Sequence, residues 1–210
     1  MNHFDVNSNV AKGGANSRAI SARLLYDDTV AYAFGILCNR AEELNNGSIW
    51  NEMEGVNLAD FLVTEVKDIN VDDIHDLVLE SEKEGFRFVR RLYDDYVSGE
   101  NRFDRDGEAL FVAHLMDQIV GICGLNQDPY SQISYMGRVR RLYVHPEFRK
   151  YGVGSQLVSN VILEAKRFYA TLTLRTDNPV ADQFYRTIGF STVHVPDNAT
   201  HWLSLNPVNE

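Results

Sequence analysis

The sequence predicts an α/β (α+β) fold: a sheet with helices on its faces, preceded by an N-terminal extension. Three observations predict it. From Phe61 onward, short apolar segments of strand length interleave with segments whose apolar residues recur every three or four positions. A composition of 44% hydrophobic and 24% charged residues, with 11 Phe, 10 Tyr and 2 Trp among 210 residues, supplies a sizeable core. The longest apolar runs, such as Val30–Leu37, stop far short of the roughly 18 residues a membrane span needs.

Taken in order, residues 1–19 are rich in Asn, Ser, Gly and Ala without period and predict a poorly ordered arm. Val30, Phe34, Leu37, Ala41 and Leu44 predict a helix near 29–44, capped by Asp28 or Thr29 and broken by Asn45-Asn46-Gly47-Ser48. Residues 1–56 are therefore expected to be an extension, partly disordered with one helix, and 57–210 the main domain. The apolar stripe of that helix is expected to pack on its own domain or on a second subunit, which makes a homodimer an expectation. Phe61–Val66 reads as a strand. Asn70 caps a helix with Val71, Ile74, Leu77 and Val78 on one face. Phe88, Val89, Leu92, Tyr93 and Tyr96 mark a second helix that ends at Ser98-Gly99.

Ala109–Leu115 and Ile119–Leu125 read as a hairpin, and Val139–Val144 as a further strand. Gly154–Phe168 predicts a long helix with Leu157, Val158, Val161, Ala165 and Phe168 facing inward. Thr171–Thr176 is a strand with Leu172 and Leu174 on one side. Asn178-Pro179 then opens a helix in the favoured order, cap before proline, and that helix stops at Gly189. Phe190–Val195 and His201–Leu205 predict two closing strands.

The net charge of −10 argues against nucleic acid as the main partner. Its distribution says more. Residues 56–128 hold 7 basic and 17 acidic groups, a net of −10, whereas residues 129–210 hold 9 and 6, a net of +3. The N-terminus lacks the basic-then-apolar pattern of a secretory signal, so the expectation is a soluble, cytoplasmic chain. Cys38 and Cys123 provide neither a disulfide framework nor the paired spacing of a zinc site. His114, His145, His194 and His201 lack metal-ligand spacing, and no metal is expected. No Gly-x-Ser-x-Gly elbow of a serine hydrolase occurs.

One segment carries chemistry: Val144-His145-Pro146-Glu147-Phe148-Arg149-Lys150-Tyr151-Gly152-Val153-Gly154-Ser155. A strand ends, two adjacent cations follow, and two glycines lead directly into an amphipathic helix. Glycines there let the backbone approach a ligand and leave the first helical N–H groups uncovered. Such a helix start attracts anions, a phosphate or pyrophosphate above all. The segment is not a Walker loop, since no Gly-Lys-Ser/Thr closes it. Nor is it a dinucleotide fingerprint, since Leu157 stands where a third glycine belongs.

Arg149-x-x-Gly152-x-Gly154, placed after the strand Arg140-Arg141-Leu142-Tyr143-Val144, resembles the signature of the GNAT superfamily of acyl-CoA-dependent N-acyltransferases. A second match follows downstream: Leu174-Arg175-Thr176-Asp177-Asn178-Pro179-Val180-Ala181-Asp182-Gln183-Phe184-Tyr185 and the Gly189-Phe190 close resemble that family's Asn-x-x-Ala-x-x-Phe-Tyr helix. The likeness covers roughly Phe61 to Leu205. It implies a central mixed, mostly antiparallel sheet of about six to seven strands flanked by about four helices, and N-acetyl transfer from acetyl-CoA to a primary amine by direct attack in a ternary complex.

Site roles follow from the same resemblance. Backbone N–H groups of Lys150, Tyr151, Gly152, Val153, Gly154 and Ser155, with the charge of Arg149, would hold the pyrophosphate of acetyl-CoA. Leu142, Tyr143 and Val144 would pair through their main chain with the pantetheine arm, and Asn178 would lie near it. Tyr185 would protonate the leaving thiolate, a task that suits a phenol because its reference pKa of about 10 exceeds that of a thiol.

Other readings stand beside these. Several family members carry a carboxylate base on the strand before the glycine loop; Arg138-Val139-Arg140-Arg141 offers none, so the base is unassigned. By spacing alone Tyr185 is a core tyrosine of an amphipathic helix, Asn178 a helix cap and Cys123 a buried small residue. A non-catalytic acyl-CoA sensor is the alternative function. The acidic middle region, with Glu80, Glu82, Glu84, Asp94 and Asp95 as local candidates, favours a cationic acceptor.

Overall fold

The computed structural model describes residues 58–205. The expected extension over 1–56 and its helix near 29–44 lie outside the described residues. Six strands form one sheet in sequence order: β1 (Phe61–Val66), β2 (Ala109–Leu115), β3 (Gln118–Gln127), β4 (Met136–Val144), β5 (Thr171–Leu174) and β6 (His201–Ser204). Neighbours are antiparallel except β4 and β5, which run parallel. Four helices cover the sheet: α1 (His75–Lys83), α2 (Phe88–Ser98), α3 (Val153–Ala165) and α4 (Pro179–Thr187). The mixed, mostly antiparallel sheet with four helices matches the expected fold.

Local chemistry accounts for the boundaries. Asn70 caps a 3-10 turn, Val71–Ile74, that runs into α1, its side chain accepting from the Asp72 N–H. Gly99, at φ 77°, closes α2 in the left-handed conformation that glycine adopts at least cost. Pro179 opens α4 behind the Asn178 cap.

Two expectations fail. Phe190–Val195 forms no strand; only Ser191 makes an isolated bridge, to Trp202. His194 takes a φ of 53° and Pro196 follows, so the chain leaves the extended path before a ladder can grow. The long helix ends at Ala165 rather than Phe168, and Phe168 is 44% exposed. Tyr169 takes the inward place instead, its hydroxyl donating to the Gly107 carbonyl at 3.0 Å.

Both faces of the sheet are dry. On one, Val139, Cys123, Leu172 and Leu174 pack with Leu157, Val158 and Val161 of α3 and Tyr185 of α4. On the other, Leu110, Val112, Ile122 and Tyr143 pack with Leu77 and Val78 of α1 and Val89 and Leu92 of α2. Central strands buried on both faces read as continuous apolar runs, and β2 and β3 do so.

Candidate functional site

The parallel pairing of β4 with β5 is short. It joins Met136, Gly137 and Arg138 to Thr171, Leu172 and Thr173 and then stops. Beyond it β4 continues to Val144, paired with β3 on one side and with no strand on the other among the described residues. The two strands therefore part, and the main chain of Val139–Val144 borders a cleft at the carboxyl ends of the strands, where open α/β sheets bind ligands.

Midway along this edge β4 bulges. Tyr143 faces Ile122 and Arg140 faces Gly124, so β4 carries one residue more than β3 over the interval. Arg141 absorbs the bulge with a φ of 60°. Its guanidinium donates to Asp95 at 2.9 Å, while its buried Nε has no hydrogen-bond partner. Burial, the first cause, and the neighbouring cation Arg140 both lower the Arg141 pKa.

At the end of β4, Pro146–Phe148 makes a 3-10 turn and leads into the glycine loop. Lys150 and Gly152 are both left-handed, with φ of 70° and 82°. Gly152 is the N-cap of α3, and no side chain caps the helix there. The first N–H groups of α3, from Val153 to Ser155, thus lack the side-chain acceptor that most helix starts have, which suits an anion. A Cβ on Gly152 would stand 2.9 Å from the end of the Leu58 side chain, and the left-handed φ of 82° strains any other residue at that point. Val153 itself is buried, and its contribution to a ligand is limited to its main chain.

Arg149 is used differently from the sequence expectation. Its two terminal nitrogens meet the carboxylate of Glu84 at 2.7 and 2.5 Å, and its Nε donates to the Val144 carbonyl at 2.9 Å. The fork braces the loop instead of standing free in it. The Tyr143 side chain, on the face opposite α3, donates to the same Glu84 at 2.6 Å. The Arg149 guanidinium, through its hydrogen bonds, holds the Glu84 carboxyl below its usual range, and Glu84 in turn raises Arg149.

Across the cleft, Asn178 ends the segment after β5. Its Oδ1 accepts from the N–H groups of Val180 and Ala181 at 2.8 and 3.4 Å, so the cap reading holds. Tyr185 is 7% exposed, its ring 5.2 Å from Phe184, 5.5 Å from Phe190 and 5.9 Å from His201. Burial pushes its phenol pKa far up, and Cys123 of β3, close enough to interact, adds to the rise. The ring is a core element, and burial favours the protonated form of its hydroxyl. Cys123 is fully buried and its thiol is likewise pushed up, which fits the inert reading.

The acidic helices are less free than their count suggests. Glu80 pairs with Lys83, Glu82 with Arg90, Glu84 with Arg149 and Asp95 with Arg141. Among the described residues, no three His, Cys, Asp or Glu side chains could hold a metal ion. Sequence reasoning missed both the bulge at Arg141 and the Glu84–Arg149 pair, whose members lie 65 residues apart. A non-glycine αL residue has no local signature, and pairing at that separation follows from the fold alone.

Comparison with known proteins bears on this arrangement. Residues 106–192 match the acetyltransferase (GNAT) domain family. A protein from Exiguobacterium sp. 255-15, assigned as an acetyltransferase, is 31% identical, with 69% of this chain and 93% of that one covered at a TM-score of 0.59. An acetyltransferase of the GNAT family from Staphylococcus aureus Mu50 is 20% identical, covering 70% of this chain and 99% of that one at 0.52. The yncA protein of Salmonella typhimurium, solved with its cofactor acetyl-CoA, is 14% identical and covers 72% and 97% at 0.52. The last two likenesses concern the fold alone. No curated protein matches the chain.

Proposed function

Because this chain belongs to the GNAT acetyltransferase family, we propose that its 57–210 domain transfers the acetyl group of acetyl-CoA to a primary amine by direct attack in a ternary complex. The observation that carries the reading is the pairing of β4 with β5 ending at Arg138 and Thr173, which leaves an open strand edge beside an uncapped helix start. The residues fit the co-substrate: a left-handed Gly152 at the loop's end, and α3 N–H groups without a side-chain acceptor. Acetyl-CoA, when bound, supplies an activated thioester carbonyl.

In this reading the α3 N–H groups and Lys150 hold the pyrophosphate, and Leu142, Tyr143 and Val144 offer main-chain partners to the pantetheine arm. Arg149 acts through its brace on the loop. The strand N–H groups near the bulge polarise the carbonyl oxygen as charge develops there. The neutral amine attacks the thioester carbonyl, the C–N bond forms as the C–S bond breaks, and Tyr185 gives its proton to the departing thiolate and regains one from water. No carboxylate lies on β4, so the ammonium proton leaves through water or an acid of the α1–α2 layer.

The acceptor is a primary amine. The net of −10 over residues 56–128 favours a cationic one, with Asp94 carrying more weight than the paired Glu80, Glu82, Glu84 and Asp95. Thiol release from acetyl-CoA against a panel of cationic, neutral and anionic amines tests both points. Release with cationic amines that weakens with salt is expected. Acetyl-CoA binding without release to any amine would favour a cofactor sensor, and equal rates across the panel would remove the charge argument.

A further inference from the structure

Building on the acetyl-CoA-dependent reading, we propose that Glu84 is a positioning residue for the glycine loop, acting through Arg149. Glu84 is the C-cap of α1 and belongs to the helical layer on the face away from α3. Its carboxylate nevertheless joins three elements. It takes two hydrogen bonds from Arg149 at 2.7 and 2.5 Å and one from the Tyr143 hydroxyl at 2.6 Å. Arg149 completes the tie by donating its Nε to the carbonyl of Val144, the last residue of β4, at 2.9 Å. The guanidinium also lies over the Tyr143 ring, 5.4 Å from its centroid. All three guanidinium nitrogens are thus engaged, in the paired geometry that fixes a fork in orientation as well as in place.

The position of that fork matters for the chain that follows it. Arg149 is extended, at φ −71° and ψ 157°, and stands directly before Lys150 and three residues before Gly152, both left-handed. The direction in which the next N–H groups point is set by this short succession of unusual dihedrals, and α3 has no side-chain cap to hold its start. An anchored Arg149 fixes the upstream end of the succession. Glu84 also cancels the Arg149 charge, so attraction for a phosphate rests on the aimed N–H groups and on Lys150. Two consequences of opposite sign are therefore separable. If Glu84 positions the loop, removing its charge weakens cofactor binding. If Glu84 only withholds Arg149 from the phosphates, removing it strengthens binding.

The test is CoA titration of the full chain by calorimetry, with acetyl-CoA KM and kcat measured in parallel. E84Q keeps an acceptor for Tyr143 and loses the charge. It should raise the CoA Kd and the acetyl-CoA KM by about five- to twentyfold, the modest size expected of a partly exposed bidentate pair, with kcat changed by less than about twofold. R149A should match it, and E84Q/R149A should bind CoA no more weakly than R149A alone, because both changes cut the same link. A purely structural role would lower the melting temperature without moving KM at 25 °C. Should E84Q not fold, Arg149→Lys keeps the charge, loses the fork and reads the same coupling through KM. Wild-type or tighter CoA binding by E84Q would overturn the role of Glu84 while leaving the acetyl-CoA reading intact. A wild-type chain that binds no CoA would remove that reading, and this proposal with it.

Discussion

Arg138 and Asp128 form an ion pair at 3.1 Å with side chains only 5% and 2% exposed. Thr173 donates to the same Asp128 oxygen, and the other Arg138 terminal nitrogen donates to the Asn198 carbonyl at 2.8 Å. Arg138 and Thr173 are the last residues at which β4 and β5 pair. The buried network therefore sits at the apex where the two strands part, and ties it to the chain before β6.

Removing one member of a buried pair strands the other charge in a dry site. Asp128→Ala should therefore destabilise the protein by about 3–5 kcal/mol, measured by urea unfolding. A loss below about 1 kcal/mol would mean that the pair is not desolvated as the geometry indicates.

Tyr185→Phe separates chemistry from packing at one atom. The ring contacts with Phe184 and Phe190 are retained, so stability should fall by no more than the worth of one hydrogen bond, about 0.5–1.5 kcal/mol. If the hydroxyl protonates the thiolate, single-turnover kcat should fall by roughly 10²–10⁴, with CoA affinity little changed. Wild-type turnover would leave Tyr185 a core residue only.

At Gly152 three effects coincide: φ is 82°, a Cβ would lie 2.9 Å from Leu58, and the position caps α3. Gly152→Asp should abolish CoA binding first, since it places bulk and negative charge at the helix start. The left-handed conformation adds a stability cost of about 1–2 kcal/mol. Calorimetry and thermal melts on the same sample read the two effects apart. CoA affinity unchanged by the substitution would exclude this loop as the pyrophosphate site.

The tyrosines set an alkaline limit on stability. Burial raises the phenols of Tyr185 and Tyr143 and pushes Tyr169 up to about 12. With folded values above the unfolded one of about 10, the folded chain keeps protons that the unfolded chain releases. Their contribution is full below about pH 10 and is lost as pH rises beyond it. The urea midpoint should accordingly fall from about pH 10 to pH 12, and less steeply in Tyr185→Phe. A midpoint independent of pH over that span would count against burial of the phenols.

Local chemistry determined most of the elements by itself. Alternation and apolar runs marked β1 and β2 to the residue, Asn70 and Asn178 marked their caps, Gly99 marked the end of α2, and the two glycine-bearing motifs pointed to the site. These features are encoded within a few residues of where they act, through side-chain period, cap oxygens and the conformational freedom of glycine. What only the tertiary structure decided lies between distant segments. Phe190–Val195 has the composition of a strand, yet the left-handed His194 and the docking of Trp202 on Val193 hold it as a loop. Arg149 looked like a free cation for a phosphate until α1 brought Glu84 to it. The bulge at Arg141 exists because β3 and β4 keep their register on both sides of an extra residue. Each of these is a choice among partners that the chain meets only after it has folded, and local propensity carries no information about it.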